Sequence, residues 1–564
     1  MTRHPAHRNI ACTAALVLLA GCTSPYNPFS QAEEDYAKRV ALERLRDIQP
    51  GDIRQYQKPP SDSPPDTAAT VRRRFEGLAV RELSLEECRK STLENNLNLK
   101  VAFIDPAIAA QRVSAEDAAW EATFQTRAAF RDLDSATASE LDSAQSEFAF
   151  VEPGVTIPMR TGGSVTVALP MARNETDNQF STLNPAYTSD LAFSISHNLL
   201  RNAGRRVNTT SLRIAGYNQQ ASETRTKLEV IRQLAAADRA YWRMYQAREE
   251  LKVRQQQYEV AAEQLARAQR RVNAGSAPEI EVTRAQAGVS DRLTDIISVQ
   301  NVLRLQQREL KRILNMPGLD VDSPTMLDPK TQPDPVEFVF DAAKVCEFAL
   351  AQRMEMLELE LQLAADAARI GFQRDQMLPL FTLDYTYRVN GLGGTAGDSF
   401  DVLRDNKYED WELGLNFQIP IGNDAARARL REAILARTQR LSTREAREQA
   451  IRQEVLNALD TIDGTWQRIL AARQAVILNT RALLAEQRQF DVGSSTSTNV
   501  LDQAARLADA QSAEIRALTD HEIAQIDLAF ATGTLLGADK VSWEPVNAPS
   551  TDGPDPAETL SPGS

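Results

Sequence analysis

The chain has 564 residues, 42% hydrophobic, 25% charged and 6% aromatic, with 64 Lys and Arg against 77 Asp and Glu for a formal charge of −13. That balance excludes a low-complexity chain and a nucleic-acid binder of the basic kind, and with 4 His and 4 Cys it leaves little material for a catalytic or metal site. The longest apolar run, residues 10–22, is shorter than the roughly 18 to 25 residues of a spanning helix, so a polytopic helical transporter is excluded too.

At the N-terminus Arg3, His4, His7 and Arg8 form a basic stretch and residues 10–20 an apolar one. Leu19-Ala20-Gly21-Cys22 then closes the pattern of a bacterial lipoprotein signal. Residues 1–21 are expected to be cleaved and Cys22 to carry acyl chains, several of which anchor stably where one does not. Thr23, rather than Asp, resembles the pattern that is sorted to the outer membrane. Cys88 and Cys346 then remain as thiols in Ala/Leu-rich stretches, with burial as the plain reading and a bridge between them as the alternative. Residues 22–82, with Pro50, Pro59, Pro60, Pro64 and Pro65, read as a tether.

From residue 83 the chain contains itself twice, as residues 83–316 and 338–537 joined by a linker at 317–337 and followed by a tail at 538–564 expected to be disordered. A shift of 257 lays Leu93 on Leu350, Ala107 on Ala364 and Phe124 on Phe381. A shift of 218 lays Gly204 on Gly422, Leu265 on Leu483, Gly275 on Gly493 and Leu310 on Leu528. Each half predicts a helix, a β-rich stretch, a very long helix, a tight turn with Gly and a returning helix.

In the first half the opening helix spans residues 85–96. Strands are expected over 124–131 and 191–195, separated by a long polar loop, 132–189. Within that loop, 154–170 reads as an added hairpin turning at Thr161-Gly162-Gly163. Residues 208–272 hold no Pro and only Gly216, a helix of about 100 Å at 1.5 Å per residue. Leu251, Tyr258, Leu265 and Val272 recur every seven residues, as do Val282, Val289, Ile296, Leu303 and Leu310 on the return, and such a seam needs a partner helix.

In the second half the period falls to two. Phe381, Leu383, Tyr385 and Tyr387 alternate with polar residues, as do Trp411, Leu413, Leu415, Phe417 and Ile419 beyond a long Gly-containing loop, 389–410. About nine residues with one apolar face is the signature of a membrane β-barrel strand, although a soluble sandwich alternates in the same way. Residues 424–490 predict the second long helix, with the seam Val455, Ile462, Ile469, Val476, Leu483 and Phe490.

The passages 198–208 (Asn-Leu-Leu-Arg-Asn-Ala-Gly-Arg-Arg-Val-Asn) and Ile419-Pro420-Ile421-Gly422, with the turns Val272-Asn273-Ala274-Gly275 and Phe490-Asp491-Val492-Gly493, resemble the TolC-type family of bacterial outer-membrane efflux proteins over about residues 83–537. The resemblance implies a mainly α fold with a β-barrel portion. In a homotrimer each chain would give four transmembrane strands to one twelve-stranded barrel, and the duplicated helical hairpins would form a periplasmic coiled-coil barrel closed at its tip. It implies a passive, non-enzymatic duct without a cofactor or metal, set in outer-membrane lipid and working with a periplasmic adaptor protein and an inner-membrane pump, with no nucleic acid. Val500-Leu501-Asp502 matches the family's tip motif, which makes Asp502 the leading constriction residue, with Asn499 beside it. Arg284 holds the equivalent place in the other half. The family's tip lock of Tyr and Arg against Asp falls on Phe490, Ser495 and Glu281, so only the acid is kept. Gly275 and Ser276, with Gly493, Ser494 and Ser495, are candidate adaptor contacts. The rival from another class is a structural coiled-coil envelope lipoprotein without transport activity.

Overall fold

A computed structural model describes residues 77–137, 143–178 and 180–542. The expected signal, Cys22 and nearly all of the tether lie outside the described residues, as does the tail beyond 542. Strand β1 (Val80–Leu83) leads into helices α1 (Leu85–Asn95), α2 (Leu97–Ala102) and α3 (Ile104–Asp117). Ser84 caps α1 by accepting the Glu87 N–H, and Asn96 caps α2 by accepting the Leu99 N–H. Strands β2 (Thr123–Asp134), β3 (Gln145–Met159), β4 (Gly163–Ala168), β5 (Met171–Thr176), β6 (Ala186–Ser189) and β7 (Leu191–Asn198) follow. After the short α4 (Arg205–Asn208) come α5 (Thr210–Asn273), α6 (Ile280–Leu314) and β8 (Met326–Pro329), the last pairing in parallel with β1.

The order then recurs with α7 (Ala342–Gln352), α8 (Met354–Asp375), β9 (Leu380–Val389), β10 (Leu392–Gly393), α9 (Ala396–Arg404), β11 (Glu409–Gln418), α10 (Asp424–Asp491), α11 (Ser497–Thr532) and α12 (Leu535–Ala538). The fold is long-helical with a β portion, as the two periodicities predict. Helices α5 and α10 have 64 and 68 residues, each about 100 Å long. Neither stands alone, because each turns back into a packed partner. Leu234, Tyr241 and Met244 of α5 are buried with Leu303 and Leu310 of α6, and Ile451, Val455 and Ile462 of α10 with Ala524 and Leu528 of α11. Tyr241 buries its ring and satisfies its hydroxyl, which donates to the Leu83 carbonyl at 3.2 Å and accepts the Thr331 N–H at 2.9 Å.

The duplication reaches individual contacts. Asn96 Nδ2 donates to the Ile313 carbonyl at 2.9 Å, and Arg353 Nη1 to the Ala531 carbonyl at 3.1 Å. The two donors are related by the shift of 257 and the two carbonyls by 218. Each ties the opening helices of its half to the last turn of the returning helix, where carbonyls lack helical partners. Cys88 and Cys346 are free, buried and in separate clusters.

The nine-stranded sheet follows six antiparallel tracks. Strand β2 pairs with β3 along its whole length, Thr123 opposite Thr156 to Asp134 opposite Gln145. The next track is β4 and β5 in succession, both paired with β3. Then come β7 and β6, on β4 and β5, then β9 and β10, and finally β11 on β9. The strands predicted at 124–131, 191–195, 381–387 and 411–419 are parts of β2, β7, β9 and β11 or run to their edges. The loop predicted over 132–189 is corrected: it holds β3 to β6, and the hairpin seen at 154–170 is the lower part of a larger unit. Pro153, Pro158, Glu147 and Glu152 break the alternation within β3, yet pairing on both sides holds it extended.

Candidate functional site

The turns that join α5 to α6 and α10 to α11 are built alike. Gly275 lies at φ +70° and Gly493 at φ +83°. The Gly275 N–H donates to the Val272 carbonyl and the Ser276 N–H to Arg271, both at 2.9 Å. In the other turn Gly493 donates to Phe490 at 3.0 Å and Ser494 to Gln489 at 2.9 Å. These are two Schellman motifs, in which a left-handed residue lets two N–H groups close the open carbonyls of the helix end. The Ser276 and Ser494 hydroxyls bond the same carbonyls, Arg271 and Gln489, at 3.0 Å. A Cβ on either glycine would meet nothing within 4 Å, so the backbone angle alone selects glycine there.

The side chains around the turns form local pairs. Glu281 meets Arg284 at 3.0 Å along α6, and this i,i+3 pair gives Arg284 a partner on its own helix. Asp502 is exposed on α11 and, among the described residues, has no ion-pair partner. The Ser495 hydroxyl donates to Glu486, and Asn499 Nδ2 donates to Ser495 Oγ at 3.2 Å. Phe490 is buried with Leu483 and Val500, and the Arg271 guanidinium lies over its ring at 4.9 Å. The hairpins also meet each other, through Gln264 Nε2 donating to Ser497 Oγ at 3.0 Å and Gln257 Nε2 to the Ala504 carbonyl at 3.2 Å. The Arg271–Phe490 contact was missed from sequence, where the two positions belong to different halves and no spacing links them.

A second group of charges sits well away from the turns in sequence. Arg89 binds Asp238 through Nε and Nη2, with contacts from 2.9 to 3.2 Å, and Asp539 through Nη2 at 2.7 Å. Both carboxylates are almost fully enclosed, and Asp539 Oδ2 is buried without a hydrogen-bond partner. Burial pushes Asp539 up to about 7, with the Asp238 charge adding to the rise and Arg89 opposing it. Asp539 falls in the stretch read as tail from 538, and its enclosure carries the packed chain past that boundary. His521 is likewise internal, its Nε2 3.0 Å from the Val336 carbonyl and its Nδ1 3.0 Å from Thr465 Oγ1; burial holds its pKa below the usual imidazole range. Among the described residues no group of His, Cys, Asp and Glu is arranged to hold a metal ion.

The family model described as "Outer membrane efflux protein" matches residues 345–534, which take in the second half from α7 through the Gly493 turn to the end of α11. The match covers about a third of the chain and marks its second half as similar to that family. The TolC outer membrane protein of Vibrio cholerae is 27% identical to this chain over 312 residues, 53% of this chain and 67% of that one. The TolC of Escherichia coli is 25% identical over 307 residues, 52% of this chain and 60% of its own length, so the match spans between three fifths and two thirds of these relatives. The CmeC outer membrane channel of Campylobacter jejuni superposes with a TM-score of 0.60 at 16% identity, covering 80% of this chain and 86% of that one, a likeness of fold. No helix among the described residues is long and apolar enough to cross a membrane.

Proposed function

We propose that the protein is a passive outer-membrane duct of a tripartite efflux or type I secretion system, in which three copies close one β-barrel in the membrane and one helical tube below it. The observation that carries this reading is that a single copy leaves two strand edges and two apolar rows uncovered. Strands β2 and β11 are edges, each paired on one side only among the described residues. On β11, Trp411, Leu413, Leu415 and Phe417 are exposed in one apolar row. Beside the buried seam of α10 a second apolar row, Leu456, Leu470, Ile477 and Leu484, is exposed as well. Unpaired strand edges and uncovered heptad rows are both costly in water, and neighbouring copies would cover both together. A coiled-coil spacer would account for the helical row and leave a two-faced sheet without a role. The resemblance gives four strands per copy, for which β2, β7, β9 and β11 are the counterparts.

Within that assembly Asp502, with Asn499, Arg284 and Glu281 nearby in the motif, is assigned to the periplasmic constriction. The turns at Gly275, Ser276, Gly493, Ser494 and Ser495 are assigned to the adaptor, which couples the duct to an inner-membrane pump. Exposed Asp502 without a partner would face its two copies across the axis, where like charges repel. Cys22 is assigned the lipid anchor on the strength of the basic, apolar and small-residue pattern before it; loss of acyl label in Cys22→Ser tests that assignment. For the duct itself, the full chain extracted from outer membrane is expected to run as three copies, and Asp502→Cys to cross-link between copies under oxidation. A monomer, or a trimer of that variant whose introduced thiols never meet, would contradict the closed tip.

A further inference from the structure

We propose that six strands per copy, rather than four, form the membrane wall, so that three copies close an eighteen-stranded barrel by pairing β11 of each copy with β2 of the next. This rests on the trimeric duct reading. The extra pair is the hairpin of β3 with β4 and its continuation β5, which stands between β2 and β7. All of β2 pairs with β3, while β7 pairs with β4 from Gly163 opposite His197 to Ala168 opposite Ala192. A wall of four strands per copy would need β2 to leave β3 and pair with β7 directly.

The two faces of the sheet run through the hairpin without a break. Directly opposed residues share a face, and one row reads Trp411, Tyr387, Phe193, Val167, Val155, Phe124 from β11 across to β2. The adjacent row, on the other face, reads Glu412, Thr386, Ser194, Thr166, Thr156, Thr123. Hydroxyls bond across this polar face at 3.0 Å between Ser194 and Thr386 and at 3.1 Å between Thr156 and Thr166. On the apolar face of the hairpin Ile157 is 45% and Val167 41% exposed, comparable with Phe193 of β7 at 37%. A hairpin folded away from the wall would have no need of apolar residues facing out and hydroxyls facing in, which is the alternation of a membrane barrel strand.

The hairpin is also fastened at its turn. Asn198 N–H donates to the Gly162 carbonyl at 3.0 Å and Gly204 N–H to Thr161 at 2.8 Å, so the turn is held to the passage from β7 into the helices. Gly162 lies at φ +99°, and a Cβ there would fall 1.9 Å from the Asn202 carbonyl oxygen. On the other flank Arg160 pairs with Asp117 at 2.8 Å and lies over the Trp120 ring at 5.0 Å, just ahead of β2. The turn therefore sits level with the start of β2 and the end of β7, as a wall hairpin must.

Closure follows from direction. The six tracks alternate, so β11 of one copy and β2 of the next meet antiparallel, with 10 and 12 residues to pair. Barrel width grows roughly in proportion to strand number, so the eighteen-stranded wall is about 1.5 times as wide as a twelve-stranded one. No long helix continues from the hairpin, so the widening is confined to the membrane level and leaves the tip constriction as it is. The test is strand counting by electron cryomicroscopy of the full-length protein in lipid nanodiscs. Three-fold particles with eighteen strands are the expected result. A three-fold ring of twelve strands with residues 145–176 outside it would overturn this inference and leave the duct standing. Particles without a three-fold ring would overturn the duct reading and the inference with it.

Discussion

Gly275 and Gly493 carry the reversal of both hairpins on a positive φ that costs an L side chain about 1 to 2 kcal/mol. Since nothing lies within 4 Å of either Cβ position, substitution tests the backbone angle alone. Gly493→Ala is expected to destabilise the turn by about 1 kcal/mol, seen as faster hydrogen exchange at the Ser494 amide with the rest of α10 unchanged. Unchanged protection would contradict the Schellman reading. At Asp539 the argument is one of linkage. Burial raises its folded pKa to about 7, while the unfolded chain titrates near 4. The folded state therefore keeps a proton that the unfolded state releases, and this contribution to stability is full below about pH 4 and lost as pH rises through about 7. Asp539→Asn, which has no proton to lose, is expected to melt above the parent protein at pH 8 and close to it at pH 4. A melting point lower at pH 8 than at pH 4, relative to the parent, would show that the Arg89 pair outweighs the buried charge.

Among the elements, α10 presents two heptad rows, one buried through Val455, Ile462 and Ile469 and one exposed through Leu456, Leu470, Ile477 and Leu484. Leu470→Glu with Ile477→Glu places charges only on the exposed row. The double variant is expected to keep its helical circular dichroism and lose the trimer by light scattering; a trimer of parent stability would show that this row does not face a neighbour. The long helices were legible because a run without Pro and with a repeated seam has few other solutions, and β9 and β11 because their alternation is clean. Strand β3 was hidden because its extended form depends on neighbours at both sides, while Pro153, Pro158, Glu147 and Glu152 give it a loop's local composition. At the tip, the glycine turns could be read from their duplication, and Arg271 over Phe490 could not, because contacts between halves are set by packing and leave no spacing in the sequence.

For the whole molecule, the duplicated halves make one continuous path: a sheet with an apolar and a polar face, helices of about 100 Å, and two matched turns at their far end. In the proposed duct that length serves distance, and the scarcity of long apolar runs would follow from meeting lipid through strands that need only every second residue apolar. In the proposed trimer the constriction is assigned to the tip, where Asp502 is exposed in a single copy. Single-channel recording of the purified trimer in a planar bilayer tests the duct most directly. The account predicts stepwise ion conductance with a preference for cations that falls in Asp502→Ala, which takes the charge out of the constriction; silent bilayers with the parent protein and with the variant would contradict it.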